Sequence, residues 1–66
     1  MNAVEIGRKL RTLRGEKLPA EVAKSLGISV SALRMYERGD RIPRDEIKLR
    51  IAAYYDCSVE HIFFAN

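Results

Sequence analysis

The most constraining feature of the sequence is a stretch of twenty residues, 20–39, with the pattern of two short helices separated by one glycine. Gly27 can adopt the positive φ that a sharp turn requires. Ser29 can then cap the second helix through its hydroxyl, and Leu33 and Tyr36 continue the apolar face of the first. The other positions of the second helix must point outward, and four of them form the candidate functional surface: Val30, Ser31, Arg34 and Met35.

The remaining sequence predicts three further helices and contains no competing strand pattern. Gly15 should end the first helix, and Gly27 should end the second. The third should run from Ser29 or Val30 to about Arg38. The predicted helix starts carry residues typical of helix N-termini: Asn2 with Glu5, Pro19, Ser29, Asp45 with Glu46, and Ser58. Residues 1–66 are therefore expected to form one small all-α domain of five helices.

The basic residues are unevenly distributed. The net charge of +3 is too small to identify a partner by itself. However, six basic residues lie in or just after the third helix, against four acids in the same stretch: Arg34, Arg38, Arg41, Arg44, Lys48 and Arg50. This distribution favours a polyanionic partner, although a solvated basic face would have the same pattern.

The chain has one cysteine and one histidine. An internal disulfide is thus excluded, and a zinc site has no support because further soft ligands are lacking. Cys57 is expected to be a small buried apolar residue. The sequence has no apolar run of signal-peptide or membrane-span length, so we expect a cytoplasmic protein. No metal or cofactor is expected.

In the order and spacing of its motifs, the chain resembles helix-turn-helix domains of the Cro and phage-repressor type. The motifs that carry the resemblance cover nearly the whole chain: 6–14, 22–23, 26–29, 36–39, Arg41 with Pro43, 51–52 and 58–63. The resemblance implies a five-helix, lambda-repressor-like fold. It also implies a sequence-specific transcriptional regulator that inserts its third helix, about residues 29–38, into the major groove of double-stranded DNA. We expect this regulator to be a repressor and to act as a homodimer.

The resemblance assigns roles to individual residues. The base-reading residues would be Val30, Ser31, Arg34 and Met35, although Val30 and Met35 can instead be partly buried in the core or in a dimer. Phosphate contacts would come from Ser29, Arg38 and Arg41, with Arg44 and Lys24 as weaker candidates. Chemistry supports this assignment, because arginine can bond guanine through two hydrogen bonds and apolar side chains can touch a thymine methyl.

Glu37 is an acid within a basic surface and should need a compensating charge. The resemblance pairs it with Arg14 of the first helix; the alternative is a plain surface acid. The connection before Pro19 is shorter than usual in the family and can instead rotate the first helix so that Arg11 reaches Glu37. Leu18 and Pro19 also replace a polar cap and a phosphate-binding glutamine, which weakens the expected phosphate contact, and Leu18 can act as an apolar staple.

The C-terminal residues contain four large apolar side chains, Val59, Ile62, Phe63 and Phe64. We expect Val59 and Phe63 to belong to the core, and Ile62 and Phe64 to form a two-fold dimer interface. A monomer with an exposed apolar tail is the alternative.

Two other classes of function compete with DNA binding. An enzyme is not expected, because the sequence lacks paired carboxylates, a nucleophile with its base, and a phosphate-binding glycine loop. A protein-interaction or antitoxin module on the same fold is the stronger alternative, because a fold does not determine a function. The arginine on the outward face of the third helix favours DNA.

Overall fold

A computed structural model describes residues 2–64 of the chain, and within this range it contains five helices and no strand. The helices are α1 (Ala3–Arg14), α2 (Pro19–Leu26), α3 (Val30–Arg38), α4 (Asp45–Tyr55) and a short last helix with wide π-type turns, α5 (Glu60–Phe64). The predicted all-α, lambda-repressor-like fold is confirmed. None of the helices in residues 2–64 is long and apolar enough to cross a membrane.

Polar side chains cap three of the helices where the sequence predicted. The side-chain oxygens of Asn2, Ser29 and Ser58 accept hydrogen bonds of 3.0–3.1 Å from backbone N–H groups three residues later. Each bond satisfies one of the N–H groups that a helix start leaves unpaired. Of the two bonds in the predicted capping box, the structure contains the one from the Glu5 N–H to the Asn2 side chain. The Glu5 carboxylate accepts a bond from Arg8 at 3.1 Å instead of one from the Asn2 backbone.

The turn between α2 and α3 depends on Gly27, which has a φ of 71°. Its N–H donates to the carbonyls of Ala23 and Lys24, and this arrangement closes the end of α2. Only two residues, Ile28 and Ser29, then separate this glycine from α3. The left-handed glycine thus sets the angle at which α3 leaves α2.

The core lies between all five helices, and α1 packs mainly against α3. This packing brings the two backbones close together at Gly7. A side chain at this position would place its Cβ 2.8 Å from the carbonyl oxygen of Tyr36, which is closer than packed atoms approach. Glycine is therefore required here by close approach of two helices rather than by φ. The buried apolar residues are Ile6, Leu10, Val22, Ala23, Leu26, Leu33, Tyr36, Ile47, Ile51, Ala52, Ile62 and Phe63.

The structure corrects the prediction for Ile62, whose exposed fraction is 0%. It belongs to the monomer core beside Phe63, which is 2% exposed, and has no surface left for a dimer interface. The wide π-type turn of α5 is the reason: neighbouring residues are separated by a smaller angle than in an α-helix, so both side chains enter the core. Phe64 remains 54% exposed, and Val59 is half-buried against the core.

Two further expectations are adjusted. Leu18 is 62% exposed and is the N-cap of α2, whereas an apolar staple uses the residue before the N-cap, so Leu18 does not have the expected staple position. Cys57 is half-buried, and its Sγ lies 3.5 Å from the carbonyl oxygen of Tyr55.

Candidate nucleic-acid interface

The sequence selected four residues of α3 for base reading, and the structure places only two of them fully at the surface. Ser31 and Arg34 are exposed, whereas Val30 and Met35 are half-buried, and Val30 packs against the core. Among residues 2–64, the Arg34 guanidinium has no hydrogen bond or ion pair. Its five N–H donors are therefore free to bind an external acceptor. The most available donors on this face belong to Arg34, with Ser31 one turn before it.

The N-terminus of α3 offers a second set of donors. Ser29 is exposed, and its Oγ is the cap that accepts from the Ala32 N–H at 3.0 Å. This bond uses an acceptor lone pair, so the hydroxyl hydrogen can still be donated. The helix dipole adds a partial positive charge at the same end. Ser29 can therefore cap the helix and bind an anion at the same time.

The predicted phosphate-binding arginines are all at the surface. Arg38 forms an ion pair of 3.0 Å with Asp40, and both side chains are more than half exposed. Within residues 2–64, Arg41, Arg44 and Lys24 are exposed, and their charged side-chain groups have no hydrogen-bond or ion-pair partner. Exposed ion pairs are worth at most about 1 kcal/mol, so the pair of Arg38 can give way to a phosphate.

Two of the basic residues that the sequence placed in this surface have structural roles instead. Lys48 is only 8% exposed; its ammonium lies 3.4 Å from the Asp45 carboxylate and 5.8 Å from the centre of the Phe63 ring. The Arg50 guanidinium donates to the carbonyl of Leu26 at 3.3 Å and so helps to close the end of α2. The basic surface is therefore smaller than the sequence count suggests.

The expected ion pair between Arg14 and Glu37 is present. The Arg14 Nε donates to Glu37 Oε2 at 2.7 Å, and NH2 of the same guanidinium donates to Oε1 at 3.0 Å. The third nitrogen, NH1, donates to the carbonyl of Lys17 at 2.9 Å. A single guanidinium thus joins the end of α1, the connection to α2, and the rear of α3.

This ion pair is partly shielded from water, because the Arg14 and Glu37 side chains are 18% and 7% exposed. The hydrogen bonds to Glu37 raise the pKa of Arg14; burial opposes this shift, and the negative charge of Glu37 adds to it. Because Glu37 is neutralised behind the helix, it does not repel an anion in front of α3. The alternative that Glu37 is a plain surface acid is therefore excluded.

The first turn of α2 has no side chain that can donate a hydrogen bond to a phosphate. Leu18 occupies the N-cap position without a side-chain hydrogen bond, and Pro19 follows it as the first helical residue. Proline has no N–H, so this helix start lacks one of the backbone donors that usually face a bound anion. The structure thus gives a reason for the weakened phosphate contact that the sequence predicts at this helix start.

Tyr55 is a neighbour of the ion pair whose environment the sequence did not reveal. Its hydroxyl is buried and has no hydrogen-bond partner among residues 2–64. Burial raises the pKa of Tyr55 to about 12, and the charge of Glu37 acts in the same direction. The phenol is therefore neutral at any physiological pH.

A family model described as helix-turn-helix matches residues 8–62. The match includes α2, the Gly27 turn and α3 in full, and it also covers α4 and part of α1. Comparison with curated proteins and with solved structures gave no match. The chain belongs to the helix-turn-helix family of the Cro and phage-repressor type, and is a DNA-binding regulatory domain.

Proposed function

We propose that the 66 residues form a single DNA-binding domain that represses transcription by placing α3 in the major groove of a specific operator. The observation that carries this proposal is the unpaired Arg34 guanidinium on the exposed face of a helix that is braced from behind by the Arg14–Glu37 ion pair. A fixed helix presents its donors in a defined register, which base reading requires.

Each residue of the exposed face has a chemical role in this proposal. Arg34 bonds a guanine through two parallel hydrogen bonds, and Ser31 bonds a neighbouring base edge as donor or acceptor. Met35 and the exposed part of Val30 touch thymine methyl groups. The phosphate contacts fix the orientation of α3 without reading the sequence, and they come from Ser29, Arg38, Arg41, Arg44 and Lys24.

We further propose that the domain acts as a homodimer, with an interface that differs from the one expected from the sequence. Phe64 is 54% exposed and remains in the interface, whereas Ile62 is excluded by its burial. Leu49 of α4 is 63% exposed and is another large apolar side chain at the surface. We therefore add Leu49 to the interface. A two-fold dimer would place two recognition helices in successive major grooves and would bind a two-fold symmetric operator.

The operator can be obtained by selection from a random pool of duplex DNA, and binding then measured by fluorescence anisotropy at several salt concentrations. Arg34→Ala should lose about 1–3 kcal/mol on the selected site and less on random DNA. Arg38→Ala, as the matched control, should weaken binding to both duplexes about equally. Salt-independent binding to the selected site would contradict the proposal. If the two variants had the same ratio of affinities for the selected site and for random DNA, Arg34 would not be a base-reading residue.

Sedimentation equilibrium tests the dimer separately. Phe64→Ser should shift the protein toward monomer while the circular dichroism of the fold is retained, because the side chain is largely outside the core. A wild-type protein that stays monomeric at high concentration and binds half of the operator with full affinity would rule out the interface. Repression itself is measured with a reporter gene downstream of the selected operator, and unchanged or increased transcription would contradict it.

A further inference from the structure

A cleft of about 260 Å³ lies where α1 crosses the C-terminal end of α3. It is lined by three arginines and by three residues of other types: Arg8, Arg11, Arg38, Val4, Thr12 and Glu37. The sequence gave Arg8 no role and gave Arg11 only the alternative role of pairing with Glu37, which Arg14 fills instead. Three arginines around one small cleft are an arrangement that suits an anion.

The helix geometry explains why these side chains meet. Val4, Arg8 and Arg11 are four and three residues apart, so they lie along one face of α1. The two glycines Gly7 and Gly39 allow the backbones of α1 and α3 to approach closely, since an added Cβ at either position would lie 2.8 Å from backbone atoms of the other segment. The long arginine side chains of both helices therefore flank the same space.

The charges around the cleft are not balanced. Arg8 pairs with Glu5 at 3.1 Å and Arg38 pairs with Asp40 at 3.0 Å, and all four side chains are more than half exposed. Glu37 is neutralised by a guanidinium outside the cleft. Within residues 2–64, the guanidinium of Arg11 has no hydrogen bond or ion pair, so it is the positive charge left over.

The cleft continues the face that we propose reads DNA. Arg38 lies four residues after Arg34, and therefore one turn further along the same face of α3. Arg38 also lines the cleft together with Arg11. A basic strip thus runs from the exposed face of α3 across to α1.

We infer that this cleft binds a phosphoryl group, with Arg11 as its principal donor. The continuity with α3 favours a phosphate of the DNA backbone outside the bases that α3 covers, and in this form the inference rests on the proposed function. Guanidinium groups bind phosphate through paired N–H donors, and the exposed pairs of Arg8 and Arg38 can exchange their carboxylates for it. Thr12 does not compete as a donor, because its hydroxyl donates to the carbonyl of Arg8 at 3.0 Å.

The test uses the selected operator extended by several base pairs at each end, with one uncharged methylphosphonate placed at each flanking position in turn. For the wild-type protein, one flanking substitution should weaken binding roughly fivefold. Arg11→Ala should bind the unmodified duplex more weakly than the wild type does, and the methylphosphonate at that position should not weaken its binding further. Arg11→Lys should recover part of the sensitivity, because it keeps the charge but loses the paired donors.

Lys17→Ala is the matched control. Lys17 is an exposed cation just after α1, but its ammonium lies 4.9 Å from the centre of the Tyr54 ring and outside the cleft. This variant should keep the wild-type loss at the flanking methylphosphonate. Arg11 is exposed, so circular dichroism of Arg11→Ala should match that of the wild type.

A second measurement separates backbone phosphate from free phosphate. Inorganic phosphate is titrated into DNA-free protein while the Arg11 side-chain resonance is followed by NMR. If this resonance shifts to saturation, but wild type and Arg11→Ala lose the same affinity at every flanking methylphosphonate, the cleft is a site for free phosphate. Equal methylphosphonate losses in wild type and Arg11→Ala, together with no shift, would overturn the inference. Failure of the wild-type protein to bind any selected duplex would overturn the proposed function instead, and the phosphate titration would still test the cleft.

Discussion

The ion pair between Arg14 and Glu37 offers the strongest test of how this small domain is held together. Replacing Arg14 by methionine removes two charge-assisted hydrogen bonds and leaves a carboxylate that is 7% exposed without its partner. It also removes the hydrogen bond to the carbonyl of Lys17. We expect Arg14→Met to destabilise the fold through the uncompensated charge more than through the lost contact itself.

The magnitude follows from the burial of the two side chains. Breaking a buried ion pair costs about 3–5 kcal/mol. The Arg14 side chain is 18% exposed, so water can reach part of the site, and we expect a loss of about 2–4 kcal/mol. The whole domain should be stable by only about 3–10 kcal/mol. The melting temperature should therefore fall by more than about 10 °C.

A double-mutant cycle measured by urea unfolding isolates the pair from the packing changes. The double variant Arg14→Met/Glu37→Leu should lose about 2 kcal/mol less than the sum of its single variants, because no charge remains unpaired. The exposed pair of Glu5 and Arg8, whose side chains are 54% and 68% exposed, is the matched control and should give a coupling below about 0.5 kcal/mol. A coupling for Arg14 and Glu37 no larger than that of the control would refute the reasoning.

Three further predictions concern packing and titration. Gly7→Ala should destabilise the domain by roughly 2 kcal/mol or more in urea unfolding, because its Cβ would meet the backbone of α3. Gly27→Ala should cost only about 1 kcal/mol, because Gly27 is in the left-handed helical region and its Cβ would meet only the end of the flexible Arg50 side chain. Tyr55→Phe should be neutral or stabilising, since it removes a buried hydroxyl without a partner. In the wild type, the pKa of this phenol is raised from 10.0 to about 12 in the folded state. The fold should therefore keep its stability below pH 10 and lose stability as the pH rises toward 12, because the unfolded chain releases this proton first. A tyrosinate absorbance titration should show a late phase that is missing in Tyr55→Phe. Ile62→Ala should destabilise the monomer by about 2–4 kcal/mol, whereas Phe64→Ser should change monomer stability by less than about 1 kcal/mol. Equal losses in the two variants would contradict the assignment of Ile62 to the core and of Phe64 to the surface.

Local features of the fold could be predicted from the sequence alone because their causes lie within a few residues. The caps at Asn2, Ser29 and Ser58 are hydrogen bonds to N–H groups three residues away, and the Gly27 turn needs one residue with a positive φ. The inward face of α3 follows from helical periodicity. The ion pair of Arg14 was predicted by the family resemblance, since periodicity by itself does not identify a partner 23 residues away.

Tertiary structure decided the features that depend on how the helices cross. Ile62 entered the core because α5 has a wide turn, which no side chain in its sequence signals. Arg50 became a partner of the α2 C-terminus, and Arg8 and Arg11 came to share a cleft with α3. Each of these outcomes is set by distances between atoms far apart in the chain. Helical periodicity determines which face a residue occupies, but only the packing of the helices determines what that face meets.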